Sequence, residues 1–360
     1  MRTQSLRLAV ATGALSLGVI GGAARAAPSE PTYPPEPVTS NTPPGTEEDF
    51  DRTYNVCRGT DPRCYHPWFQ TRQNAVLLYT RTQGPRHANL GPALGPGLNP
   101  PLAATNVVQN AVINWMGAAG VAVDYTEDVE AFASALAGLG TPPNSNYKAV
   151  IFISTNRDAL WKHGTAVDPT QAKNTSTNAY LDHAKVSLRQ FMRAGGGFVG
   201  IHNAFGTEYG WPYYEGLLGN ANYYSHGPEQ DGISVVVASD SSTDGLPASW
   251  AFKDEWYNLL PYPTKVKFLL TIDERSLPSG AAAVHPGHGK FHPIAWCQYY
   301  DGGRVWVTTL GHDVGAFTDG SGFPGQAQFK QLVVNGILSA MGNIPFCSTD
   351  ASGRELPATR

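Results

Sequence analysis

The chain is predicted to form an α/β domain: a mostly parallel, open sheet with helices against both faces. Two observations predict it. The runs "NAVLLYT" (Asn74 to Thr80), "VAVDYT" (Val121 to Thr126) and "KAVIFIS" (Lys148 to Ser154) are short and rich in β-branched residues, as sheet strands are. Segments with one apolar face at helical spacing alternate with such runs. That alternation favours parallel strands buried on both sides.

The elements follow in order. Residues 1–26, "MRTQSLRLAVATGALSLGVIGGAARA", carry basic Arg2 and Arg7, an apolar stretch and the small-residue boundary Ala24-Arg25-Ala26. This reads as a signal peptide, so the protein is expected to be secreted or otherwise exported beyond the cytoplasmic membrane. A retained anchor is the alternative, although the apolar core is short for a bilayer span. No later stretch is long and apolar enough to cross a membrane. Residues 27–72 begin as an arm rich in Pro, Thr, Glu and Ser, which buries too little apolar surface to order itself. The α/β domain is expected over 73–342, with a tail over 343–360.

Within that domain, Val107, Val108, Ala111, Val112, Trp115 and Met116 mark one helix face, and "EDVEAFASAL" a second helix. A third spans about Asn178 to Arg193 and ends at "AGGG". "FVGI" (Phe198 to Ile201) follows as a central strand, then "ISVVVA", "VKFLLTI" and "GRVWVTTLG", and a last helix over Ala327 to Met341. The sequence contains no internal repeat and no nucleotide-binding glycine loop.

Composition narrows the partners. A formal net charge of -4 leaves no basic footprint for nucleic acid. Eight Trp and 16 Tyr suit a non-ionic ligand such as a sugar. Four cysteines allow three complete pairings. Cys57 and Cys64 lie close together in a loop-like stretch and suit a disulfide in an oxidising compartment; Cys297 and Cys347 can pair or stay as two thiols.

Chemistry concentrates at the predicted strand exits. Ligands of open α/β sheets collect at the carboxyl ends of the strands, and His202 follows "FVGI" at such an end. "TTLGHD" places His312 after another strand, "YYSHG" supplies His226, "FKDEWYN" supplies Asp254 and Glu255, and "GPRH" supplies Arg86 and His87. Each is weak alone, since a lone histidine can simply hydrogen-bond a loop. Together they predict an acid–base, hydrolytic or metal site. The catalytic candidates are His202, Glu208, His226, Glu255 and His312. Of these His202, His226, Glu255 and His312 are also candidate ligands for a divalent transition metal such as zinc. His87, Trp211, Tyr214, Asp254 and Trp256 are candidate substrate contacts, the rings as stacking surfaces alongside Tyr213 and Tyr257. No spacing matches a tight metal motif, and "HPGHGKFHP" reads as a solvated histidine loop.

The ordered motifs "GPRH", "GGGFVGIHNAFGTEYGWPYYEGLLG", "YYSHG", "DEWYNLL" and "HPIAWCQYYDGGRVWVTTLGHD" resemble the ThuA-like family, named for trehalose utilisation. The resemblance covers nearly all of residues 73–342 and implies a flavodoxin-like or class I glutamine-amidotransferase-like fold and a role in carbohydrate metabolism. Amidotransferases of that fold carry a cysteine at the strand-to-helix elbow. His202 stands there instead, so cysteine-dependent glutaminase activity is not expected. The reading that follows is an enzyme acting on a carbohydrate or sugar derivative by hydrolysis or acid–base elimination. The alternatives are a carbohydrate-binding protein using the aromatic rings, and an interaction scaffold.

Overall fold

The structure is a computed structural model describing residues 56–68, 73–136, 147–161, 183–280 and 285–347. The expected signal peptide, the arm up to residue 55, the start of the third helix and most of the tail lie outside the described residues.

A ten-stranded sheet organises the fold. One part is parallel: β2 (Ala75–Tyr79), β3 (Ala122–Thr126), β4 (Ala149–Ile153), β5 (Gly197–Ile201) and β12 (Gly303–Thr308), in the order β3-β2-β4-β5-β12. From β12 the sheet continues antiparallel through β11 (His292–Tyr300), β10 (Lys267–Asp273), β7 (Gln230–Val236) and β8 (Ser249–Asp254). The two-residue β1 (Arg58–Gly59) pairs with β11. A separate ribbon joins β6 (Tyr223–His226) to β9 (Tyr257–Leu259).

The sheet is therefore mixed, and the reason lies in the connections. Strand–helix alternation sets the parallel half. β10, β11 and β12 follow one another without an intervening α-helix, and such neighbours pair antiparallel. "HPIAWCQYY" is one of these strands, with all nine residues buried. "FKDEWYN" is two strand ends rather than a loop: Glu255 and Trp256 link β8 to β9.

Side-chain alternation divides the core. Val76, Leu78, Ile151, Val199 and Ile201 face α1 (Val107–Ala118) and α5 (Gln326–Met341). Leu77, Tyr79, Val150, Phe152 and Phe198 face α2 (Val129–Leu136), α3 (His183–Arg193) and α4 (Pro212–Leu217). The triple glycine that leads into β5 is a close-approach device. Gly195 has φ +94, and a Cβ there would lie 1.9 Å from the His66 carbonyl oxygen; one on Gly197 would lie 2.4 Å from that of Ala340.

Cys57 and Cys64 form a disulfide, with Cα atoms 5.2 Å apart. Cys297 and Cys347, left open by the sequence, are also bridged, at 6.0 Å. The second bridge ties β11 to the chain beyond α5. No helix among the described residues is long and apolar enough to cross a membrane.

Candidate metal centre

His202 sits where the central parallel strand ends. Ile201 pairs with Thr308 of β12, and the next step brings the His202 ring to Thr309. Its backbone is left-handed, with φ +53, a conformation uncommon for any residue other than glycine. Nδ1 lies 3.0 Å from the Thr309 carbonyl oxygen. A carbonyl only accepts, so Nδ1 carries the proton and the Nε2 lone pair faces the opposite way. There it meets His87 Nε2 at 3.2 Å and the Tyr257 hydroxyl at 2.9 Å.

Three further elements close the cluster. His87 leads into the short turn after β2, Glu255 follows β8, and His312 lies beyond β12. His312 Nδ1 approaches Glu255 Oε2 to 3.1 Å, and His202 Nε2 lies 3.9 Å from the same oxygen. One ligand atom from each of His87, His202, Glu255 and His312 falls within 4.8 Å of all the others. His226, from β6, stands at the rim with Nε2 3.6 Å from Glu255 Oε2. Side-chain exposure rises from 0% at His202 through 16% at Glu255 to 29% at His226 and His312, so the cluster opens to solvent on one side.

The electrostatics suit a cation. Burial, reinforced by neighbouring His312, lowers the His87 pKa to about 4. Burial and His87 hold His202 well below the ordinary imidazole value. Both rings are thus neutral, the form that ligates. Burial pushes the Glu255 carboxyl up, but contact with His312 and the nearby imidazoles outweigh it, and its pKa falls below the ordinary carboxylate value. His312 responds in reverse: burial pulls it down and Glu255 lifts it further, to a net rise. Three imidazoles and a carboxylate, gathered this tightly, form a donor set able to coordinate a transition metal such as zinc.

Other candidates have different tasks. Asp254 is fully buried and accepts from the Gly311 and Glu255 backbone N–H groups at 2.7 and 2.8 Å, so it holds the site's backbone rather than a substrate. Burial raises its pKa to about 7 against these bonds. Glu208 is engaged elsewhere: it pairs with Lys185 at 2.6 Å and accepts from the Leu160 N–H at 2.7 Å, both carboxyl and ammonium buried. It is a buried ion pair and is not offered to the cluster as an acid or base.

The expected stacking surface is also corrected. Trp211, Tyr213, Tyr214 and Trp256 are buried in the two cores, and the Trp256 N–H donates to the Gln230 carbonyl. The hydroxyl of Tyr214 donates to the Ala204 carbonyl. These rings fill space between layers, where large aromatic surface contributes most. Tyr257 differs, because its hydroxyl reaches His202. The stretch "HPGHGKFHP" is not solvated: His285, His288 and His292 are buried, and His292 is bound to Glu274 at 2.7 Å and to the Tyr257 carbonyl at 2.8 Å.

No curated protein matches the chain. Among solved structures, a protein described as ThuA-like from Bacteroides uniformis ATCC 8492 is 20% identical, covering 79% of this chain and 96% of its own, with a TM-score of 0.49. A second, from Parabacteroides merdae ATCC 43184, is 16% identical over 80% of this chain and 96% of its own, also at 0.49. The β-galactosidase of Rahnella sp. R3 is 15% identical over 80% of this chain but 33% of its own, at 0.41. The profile described as "ThuA: Trehalose utilisation" matches residues 75–339, a span that includes all four clustered ligand residues. The chain belongs to the ThuA trehalose-utilisation family.

Proposed function

We propose that the protein is an exported, metal-dependent enzyme acting on a carbohydrate or sugar derivative by hydrolysis or acid–base elimination. One observation carries the reading: His87, His202, Glu255 and His312, from four separate segments, converge at an edge that opens to solvent. Membership of the ThuA family supports a carbohydrate as the ligand.

These four residues would hold a divalent transition metal. Once bound, such an ion polarises a substrate oxygen or acidifies a water. The remaining roles belong to the chain itself. His226 Nδ1 faces the Gly227 carbonyl, so it is the proton-bearing nitrogen. Its Nε2 lone pair looks toward Glu255 from an accessible position and is placed to take a proton from a sugar hydroxyl or a water. Burial pushes the Tyr257 hydroxyl well above its ordinary value, so it stays a neutral phenol; its O–H, bonded to His202 Nε2 here, would be freed as a donor to substrate when a metal takes that lone pair. A non-catalytic sugar platform has less support, since the rings it would use lie inside the core.

The test is metal content and turnover together. Purified protein is expected to contain close to one equivalent of transition metal by elemental analysis. Chelation should suppress release of reducing sugar or unsaturated product from a panel of glycosides and oxidised sugars, and zinc or cobalt should restore it. Turnover that persists unchanged in metal-free protein would overturn the metal-dependent reading.

Export is supported by the leader-like first 26 residues and by two disulfides, which persist in oxidising compartments. Expressed with its leader in a secreting host, the mature chain should begin near Ala27. N-terminal sequencing that finds Met1 intact on the exported protein would refute this.

A further inference from the structure

The Thr309 N–H still bonds the Ile294 carbonyl of β11, but beyond it the Gly311–His312 backbone is bound by neighbours of ligands in the cluster. His202 itself holds the Thr309 carbonyl. Asp254, one residue before Glu255, accepts from the Gly311 N–H at 2.7 Å and the His312 N–H at 3.3 Å. Asn89, two residues after His87, donates from Nδ2 to the Gly311 carbonyl at 3.0 Å and the His312 carbonyl at 2.9 Å. Both side chains are fully buried. The N–H groups of Gly311 and His312 are therefore held by one ligand's neighbour and their carbonyls by another's.

We infer that Asn89 and Asp254 are positioning residues, a two-sided clamp that fixes the His312 imidazole relative to His87 and Glu255 and so sets metal affinity and coordination geometry. The inference rests on the metal-site reading above. Neither residue is among the clustered ligands. Gly311 has φ +122, a conformation that L side chains rarely adopt, so the segment bends sharply at the gripped point. A bend of this kind has no ladder to hold it, because β12 ends at Thr308. The clamp substitutes for that ladder. Hydrogen bonds that orient ligands in this way typically change metal affinity by about 10–100-fold when removed.

The same hydrogen bonds make an ordinary stability role the competing explanation, so the test needs a readout of coordination. Cobalt(II) is titrated into metal-free full-length protein, recording both the dissociation constant and the visible d–d bands. Asn89→Ala should weaken cobalt binding about 10–100-fold and shift the bands or lower their intensity. Asn89→Ser, which keeps one short donor, should recover part of the affinity. Asp254→Asn, matched in shape, should give the same spectral change from the opposite side, and it serves if Asn89→Ala fails to fold. As a stability control, the double variant Cys57→Ser/Cys64→Ser should bind cobalt with the wild-type spectrum. Wild-type affinity and spectrum in folded Asn89→Ala or Asp254→Asn would overturn the clamp and leave the metal site standing. Failure of the wild-type protein to bind cobalt would overturn both.

Discussion

In His202→Asn, zinc affinity is expected to fall by at least about 100-fold, with the fold retained. Asparagine is the informative replacement, because it tolerates the left-handed backbone that His202 adopts at φ +53. It can still offer a short polar group toward Thr309, but it has no imidazole nitrogen for the space between His87 and Glu255. Losing one of four ligands should exceed the roughly 10–100-fold effect of losing a group that merely orients a ligand. Calorimetric zinc titration and a thermal melt of the metal-free protein decide the matter. An unchanged zinc affinity would remove His202 from the metal site; an unfolded variant would make it a structural residue.

The second large effect is expected far from any chemistry. Lys185→Met should destabilise the protein by about 3–5 kcal/mol, because it strands the Glu208 carboxylate in the core. Burial already raises the Glu208 pKa above 4.5 with the lysine present. A carboxyl whose folded pKa is raised contributes stability below its unfolded pKa and loses it as pH climbs through the folded value. Removing the ammonium extends that window upward, so the deficit should be larger at pH 8 than at pH 5. Lys185→Met/Glu208→Gln should recover much of the loss, since no charge is then left unpaired. Denaturant unfolding at the two pH values is the measurement. A loss below about 1 kcal/mol at pH 8 would mean that Glu208 finds water or another partner.

These two residues mark the boundary of what the sequence reveals. His202 and His312 were legible because a strand exit is a position in the sequence: "FVGI" and "RVWVTT" announce where the sheet stops. Glu255 was legible as an acid near aromatics, though its place between two strands was not. His87 came as a substrate contact, and the structure gathers it with the other three. Glu208 misled for a physical reason. An acid beside tryptophan and tyrosine reads as a wet pocket, yet a lysine on α3 neutralises it and the rings close over the pair. That pairing depends on tertiary approach, which has no local signature. The same holds for β11, whose mostly apolar run fits several kinds of buried segment. Asn89 carries no signal at all in one dimension and Tyr257 reads there only as a stacking ring, because their importance lies in which atoms they reach.

The meeting of parallel and antiparallel strands at β12 has a consequence for folding. His87 enters from the beginning of the domain, Glu255 from the antiparallel half and His312 from near the end, so the cluster draws on contacts of very long sequence separation. Such contacts form late, because the intervening chain must be ordered before they are rewarded. A nascent chain that stops before β12 holds His87, His202 and Glu255 but lacks His312 and the strand that pairs with β5. A metal ion would therefore recognise the completed sheet and little that precedes it. At a free concentration 100 times its dissociation constant, it would add about 2.7 kcal/mol to the native state without stabilising its precursors.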